Sequence, residues 1–397
     1  MARAAKSGPG LILLLGLLEA FGPLSMDLYM PSLPQLAASL GTSDVLAQTT
    51  MSVCMLGLGL GQLIAGPLSD RYGRRGPLLI GVIAFTVFSI ACAGSPSVEW
   101  LLLFRALQGL GGAAGMVVTL AIARDLFSGV ELSRMLSWLA LVGAAAPIVA
   151  PVLGGQLARF MDWRGIFLVL SGLGAMLLVA ALIWLPESHP RERRTAGGGR
   201  MLLRDAKVLL GPGVFRWVLV ISSISGVAFF SYLSMSSFVL QNGFGISPQV
   251  FGIMFALGSV CNVFGSQTNR VLVGRFSPLA LYRIGLVIAF AGGALAAASA
   301  LFAWGMWPFV AGLGVYLAST GFTLPNQNAL ALDHHGDRAG SAAALLGMSS
   351  LTIGPVISPV VSLGGVTTHT LGLTVAGAGA IVLLIGTLAF RRSAREA

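Results

Sequence analysis

The sequence predicts an all-α membrane protein with twelve spanning helices, six on either side of one hydrophilic break. Three observations carry this. Of 397 residues, 56% are hydrophobic and only 10% charged, where a soluble domain carries about 25% charged residues; the mean hydropathy is +0.87. Apolar runs long enough to cross a bilayer as helices follow one another almost end to end, whereas a membrane β-barrel would show short stretches of alternating polarity. Finally, the basic residues fall in alternate loops, as expected when they mark the cytoplasmic side.

The spans fall at 10–37, 45–66, 77–95, 98–124, 132–158 and 164–186, and then at 214–240, 248–270, 279–302, 306–332, 339–363 and 370–390. Residues 1–186 form the first half and 214–397 the second. The basic, Gly-rich stretch within 187–213 links them on the cytoplasmic side, with a surface helix expected in MLLRDAKVLL. Arg3 and Lys6 precede the first span. Arg71, Arg74 and Arg75 follow the second, Arg124 and Arg134 flank the fourth-to-fifth connection, and seven basic residues fill the middle. Arg270, Arg275 and Arg283 follow the eighth, Arg338 the tenth, and Arg391, Arg392 and Arg395 end the chain. The intervening loops hold only Arg159 and Arg164. Both termini are therefore expected in the cytoplasm.

The net charge of +10 invites a nucleic-acid reading, but charge confined to one side of a membrane argues for none. Cys54, Cys92 and Cys261 all sit in apolar runs and read as small core residues, with no disulfide framework or metal spacing. His334 and His335 fall in a solvated loop, so no metal is expected. The first apolar run is too long for a cleavable leader. The only lysines are Lys6 and Lys207, and neither belongs to a phosphate-binding Gly-x4-Gly-Lys-Ser/Thr loop. There is no His-Glu-x-x-His and no Gly-x-Ser-x-Gly. No cofactor and no enzymatic activity are expected, and energy must come from a gradient, in which one charge crossing 100 mV is worth about 2.3 kcal/mol.

The chemistry concentrates in the first half. The first span contains LLEAFGPLSMDLYMPSLP (17–34). A charge at the bilayer centre costs about 2.5–3.5 kcal/mol on insertion scales, yet this span holds Glu19 and Asp27. Of 14 acidic residues, only these two lie away from a span's ends. On a straight helix they would be about 80° apart around the axis and about 12 Å apart along it, so both can open toward one cavity. Gly22 and Pro23 lie between them as a bend. The fourth span, LLLFRALQGLGGAAG (101–115), carries Arg105 about 12 Å from its outer end by helical rise. That is deep for snorkelling and similar to the depth of Asp27, so an Asp27–Arg105 pair is reasonable if the two spans are neighbours. Burial favours the neutral carboxyl and a nearby arginine the ionised one; alternation between the two makes a proton switch. Glu19 also suits a place near cytoplasmic water. Gly109, Gly111, Gly112 and Gly115 let a neighbouring helix approach closely.

Further stretches stand out. GPLSDRYGRRGP (66–77) sets Asp70 at a helix end between Gly66 and Gly73, with Arg71, Arg74 and Arg75 facing the anionic leaflet. GAAAPIVAPVLGG (143–155) combines Gly143, Pro147, Pro151, Gly154 and Gly155, a composition that also suits a plain kinked helix. Its Pro-x-x-x-Pro and paired glycines recur in PVISPVVSLGG (355–365), which points to an internal repeat. The seventh span offers Phe229, Phe230, Tyr232, Met235 and Phe238 as adaptable contacts for an amphiphile or as packing residues. Asn326, Gln327 and Asn328 in the tenth span either bond across helices or line a cavity.

These stretches resemble the major facilitator superfamily. GPLSDRYGRRGP is similar to its motif A, with only a faint echo, VGRFSP (273–278), in the second half. LLLFRALQGLGGAAG resembles motif B, and GAAAPIVAPVLGG motif C, characteristic of antiporters. SMDLYMPSLPQL (25–36) resembles the first span of the Bcr/CflA bicyclomycin/chloramphenicol resistance subfamily, and the Glu-x7-Asp spacing that of MdfA-type multidrug exporters. The resemblance covers essentially the whole chain, most specifically residues 17–36 and 66–157. It implies two pseudo-symmetric six-helix bundles and proton-coupled efflux of small drug-like amphiphiles across a bacterial cytoplasmic membrane, by a monomer. Asp27, Glu19 and Arg105 would couple protons. Gly66, Asp70, Arg71, Gly73, Arg74 and Arg75 would form a cytoplasmic gate, with Asp70 its charge-relay carboxylate. Met26, Tyr29, Gln108, Phe230, Tyr232, Met235, Phe238 and Asn326 would line the substrate cavity. An exporter or symporter of an endogenous metabolite on the same fold, or a receptor or scaffold that moves no solute, are the alternative readings.

Overall fold

A computed structural model describes residues 9–190, 192, 194, 208–211, 214–332 and 339–396. Most of the expected surface helix at MLLRDAKVLL and the pair His334/His335 lie outside them. Among the described residues the chain is almost wholly helical, with one isolated bridge between Val273 and Phe276 as its only strand-like pairing. Among the described residues eleven helices are long and apolar enough to span a membrane, or twelve when the bent first pair is taken as one span.

That first span is the exception to the regular pattern, and its breaks follow its prolines. It is built from α1 (Pro9–Glu19), α2 (Phe21–Asp27), a 3₁₀ turn (Met30–Ser32) and α3 (Leu33–Ser39), bent by 47° at the first break. A proline has no N–H for the carbonyl four residues back, and its ring crowds that carbonyl. Pro23 addresses Glu19, where α1 ends, and Pro31 addresses Asp27, where α2 ends. The expected bend is thus present, with two breaks, each next to one of the two carboxylates.

Spans two to six are α4 (Asp44–Tyr72), α5 (Arg75–Ala93), α6 (Val98–Leu126), α7 (Gly129–Leu157) and α8 (Trp163–Trp184). Spans seven to twelve are α9 (Val214–Phe238), continued by a π turn (Val239–Gly243), then α10 (Pro248–Leu272), α11 (Pro278–Leu301), α12 (Met306–Leu332), α13 (Ala339–Val361) and α14 (Thr368–Glu396). The Pro-x-x-x-Pro pairs sit inside α7 and α13 without ending either helix. The faint echo of motif A keeps its backbone signature: Gly73 ends α4 at φ +96° and Gly274 follows α10 at φ +90°.

The chain separates into two compact units, Met1–Gly199 with Pro248–Ile253, and Arg200–Ser247 with Met254–Ala397. In unit one, α4 and α6 meet backbone to backbone. A methyl built on Gly109 would stand 2.0 Å from the Cys54 carbonyl oxygen, and one on Gly57 2.0 Å from that of Ala106. Such contact, rather than water expulsion, drives helix association in lipid. Gly111 and Gly115 meet the backbones of Phe85 and Leu18 in the same way. In unit two, Gly265 on α10 lies against the Ala318 carbonyl of α12, and Gly292 on α11 against the Tyr316 amide. An apolar core around Phe215, Ile221, Tyr282, Leu286 and Leu346 fills the space between α9, α11 and α13.

Candidate functional site

Arg105, in the middle of α6, is fully buried. Its Nη1 donates to the Ser25 carbonyl at 3.1 Å and to Gln108 Oε1, and its Nε to the Thr50 carbonyl at 3.4 Å. The guanidinium lies over the Tyr29 ring at 4.4 Å and the Phe167 ring at 5.5 Å. Tyr29 shares a 3.0 Å hydrogen bond with Thr50 Oγ1, and Gln108 Nε2 donates to Ser89 Oγ at 2.6 Å. One cation therefore ties the broken first span to α4, α6 and α8, while its Nη2 is buried without a partner.

The Asp27–Arg105 pair does not form. No ion pair within 4 Å joins them among the described residues, and every bonded atom of the guanidinium faces a neutral oxygen. The break after Asp27 turns the Ser25 carbonyl, rather than the carboxylate, toward α6. Asp27 is buried, 6% exposed. Glu19 is half-buried, and its Oε2 has no hydrogen-bond partner. Both stand at the negative pole of a helical segment. Met26, Tyr29 and Gln108 are buried around the same break.

Replacing Arg105 by Met should lower stability by on the order of 2–3 kcal/mol, because buried oxygens of Ser25, Thr50 and Gln108 lose a charged donor. Arg105→Lys should recover little of this, since an ammonium cannot stack and fork at once. Thermal unfolding of the purified protein in detergent reads both variants; an unchanged melting temperature for Arg105→Met would contradict the anchoring role.

Motif C converges on the same break. Gly154 of α7 is packed so closely that a Cβ would lie 1.9 Å from the Leu28 carbonyl oxygen, and Leu28 follows Asp27. Gly155 meets the backbone of Pro248, a residue of the same unit, while a Cβ on Gly143 would have no neighbour within 4 Å. The composition of motif C suits a kinked helix; the contact of Gly154 with the residue after Asp27 has no sequence signal.

Motif A forms a second charged cluster. Arg74, 7% exposed, bridges two helices: its Nη1 donates to Asp70 Oδ1 and to Ser69 Oγ, and its Nε to Asp125 Oδ2 on α6 at 2.9 Å. The backbone amides of Arg74 and Arg75 donate to Glu187 at 2.8 and 3.4 Å. A cavity of about 380 Å³, lined by Gly66, Ser69, Asp70, Arg74, Arg124 and Asp125, opens beside them. Arg71 is exposed and lies over the Tyr72 ring at 5.2 Å. Asp125 and Glu187 are the participants that the motif alone does not reveal.

Among the described residues of unit two, the buried side chains include many polar ones and none that is charged. Phe230, Tyr232, Met235 and Phe238 are all buried, and Tyr232 stacks on Phe255 with ring centroids 5.4 Å apart. Phe229, by contrast, is 39% exposed. Two of the three tenth-span amides bond across helices: Asn326 Nδ2 donates to Asn269 Oδ1 at 2.7 Å, and Gln327 Nε2 to Ser222 Oγ at 3.0 Å, while Asn328 is exposed.

Comparison with known proteins agrees with this architecture. The family model of the Major Facilitator Superfamily matches residues 15–359. The chain is 36% identical over 392 residues to the uncharacterized MFS-type transporter YdgK of Bacillus subtilis, covering 97% of this chain and 95% of that one. It is 31% identical over 353 residues to a bicyclomycin resistance protein homolog of Haemophilus influenzae, covering 88% of each. It is also 31% identical over 330 residues to a chloramphenicol resistance protein of Pseudomonas aeruginosa, covering 81% of this chain and 77% of that one. Among solved structures, the nucleoside transporter NupG superposes with a TM-score of 0.81 at 15% identity over 96% of this chain and all of that one. A bacterial homolog of the lysosomal transporter Spinster gives 0.77 at 16% identity over 97% of this chain and 98% of that one. With a nearly full-length family match, curated relatives above 30% identity and an all-helical membrane fold shared with solved transporters, the chain belongs to the Major Facilitator Superfamily.

Proposed function

We propose that this protein exports small drug-like amphiphiles across the bacterial cytoplasmic membrane in exchange for protons, by alternating access. The observation that carries the reading is the break in the first span, which holds two carboxylates inside the membrane segment without a basic partner. A transporter has a use for such groups; a scaffold has none. Relatives named for bicyclomycin and chloramphenicol resistance support an antibiotic-like cargo, and motif C supports antiport over symport.

Asp27 is the main proton site and Glu19 assists it or recognises cargo. Arg105 tunes them from a fixed position by holding the Ser25 carbonyl, and with it the segment that bears Asp27. Binding of cargo favours proton release from the acids, and protonation from outside favours release of cargo. Motif A, with Arg74 between Asp70 and Asp125, acts as the cytoplasmic gate. In unit one, Met26, Tyr29 and Gln108 contact cargo beside the break; in unit two, Phe230, Tyr232, Met235, Phe238 and Asn326 are the cargo-contacting residues. The protein works as a monomer with both termini in the cytoplasm.

Expression in an efflux-deficient bacterium, challenged with neutral and cationic antibiotics, tests the cargo class. Everted vesicles test the coupling. Cargo uptake on imposing an inward-acid gradient, abolished by a protonophore, is the expected result. Tolerance unchanged across the whole panel, with no gradient-driven uptake, would replace drug export by transport of an endogenous metabolite.

A further inference from the structure

Two oppositely charged residues associated with α8 grip the two ends of α5. At the N-terminal end of α5, Glu187, just beyond α8, accepts the amides of Arg74 at 2.8 Å and Arg75 at 3.4 Å. Arg75 Nη2 returns a bond to the Leu182 carbonyl of α8 at 2.9 Å. At the C-terminal end, Arg164, the second residue of α8, donates through Nη1 to the carbonyls of Ala93 at 2.9 Å and Ser95 at 2.8 Å. Its guanidinium is held over the Trp163 ring at 4.3 Å. Between the two ends the helices touch closely: a Cβ on Gly174 of α8 would lie 2.4 Å from Thr86 Oγ1 of α5.

The charges are arranged as the helix dipole requires, a carboxylate on the free amides and a guanidinium on the free carbonyls. Helix ends are ordinarily capped by flanking residues of the same helix. Here both partners come from one other segment, α8 and its immediate extension. The lengths match: α5 has 19 residues and α8 22, about 28 and 33 Å by helical rise. Gly73 keeps the N-terminal grip open. It sits at φ +96°, and a Cβ there would come within 2.5 Å of both Glu187 Oε2 and Arg194 Nη2.

We propose that α8 is a bracket that carries α5 as a rigid partner, with Glu187 and Arg164 as positioning residues. They hold the start of α5, and so set Arg74 where it bridges Asp70 and Asp125. The consequence for gating rests on the reading of motif A given above; the bracket itself rests only on these contacts.

Hydrogen exchange on the full-length protein in nanodiscs tests it, whatever solute is carried. In Arg164→Gln, exchange of the amides of Arg74, Arg75, Gly76 and Leu78 should rise about threefold or more, although the mutated contact is at the other end of α5. Glu187→Gln should speed exchange of the amides of residues 93–95 in return. Arg164→Lys, which can still donate to both carbonyls, should restore protection, and Arg159→Gln, an exposed loop substitution, should change nothing. If exchange rises only at the mutated end in both variants, the two contacts are separate caps and the bracket is wrong. Should Arg164→Gln fail to fold, Glu187→Gln alone gives the same decision.

Discussion

Asp27→Asn is expected to reduce gradient-driven export to the level of empty vesicles while leaving the protein folded. The substitution keeps the size and the hydrogen-bonding surface of a buried side chain but removes the only atom pair there able to take up and release a proton. Because Asp27 forms no ion pair with Arg105 or any other described residue, its neutral replacement strands no partner charge. The usual destabilisation from breaking a buried pair is therefore absent, and expression and melting temperature should stay near those of the parent. Exchange of cargo across the membrane without a proton gradient should persist, since alternating access remains possible. Glu19→Gln should cause a smaller loss, because Glu19 is only half-buried. Tolerance and uptake equal to the parent in Asp27→Asn, at equal expression, would remove Asp27 from the coupling mechanism and turn attention to Glu19.

Gly154→Ala is the second large effect, and it should damage both stability and transport. One methyl would be placed 1.9 Å from the Leu28 carbonyl oxygen, a backbone atom that cannot rotate away. Overpacking of this kind costs about 1–3 kcal/mol, and relief requires α7 to retreat from the break that carries Asp27. Gly143→Ala provides the contrast on the same helix. With no neighbour within 4 Å of its Cβ, the change should stabilise α7 by up to about 1 kcal/mol through helix propensity and leave export intact. Thermal unfolding and vesicle uptake on the pair decide it. Equal damage from both substitutions would mean that flexibility along motif C, and not the close approach at Gly154, is what the glycines provide.

Much of the fold was legible in the sequence because span formation is local. A run of about 20 apolar residues reports itself whatever it packs against, so all twelve spans were readable, most with ends within a few residues of those observed. The bend in the first span was legible too, since a proline acts on the carbonyl four residues back in any context. The glycines of α6 were recognisable as contact points, and Gly109 does touch α4 through backbone.

What the sequence by itself determined was therefore the inventory: a polytopic helical membrane protein with two carboxylates and one arginine inside its first half, and the motifs of a transporter family. Only the tertiary structure decided the partners. Depth along the helix made Asp27 a reasonable mate for Arg105, yet the rotation of the broken segment presents the Ser25 carbonyl instead. Asn326 and Gln327 turned out to be bonded across helices, Gly154 to meet Leu28, and Glu187 to cap α5. Each of these depends on how one helix is turned and shifted against another. Hydropathy sums along a single helix and is blind to that register; close backbone approach and hydrogen-bond geometry, which act between helices, are what set it.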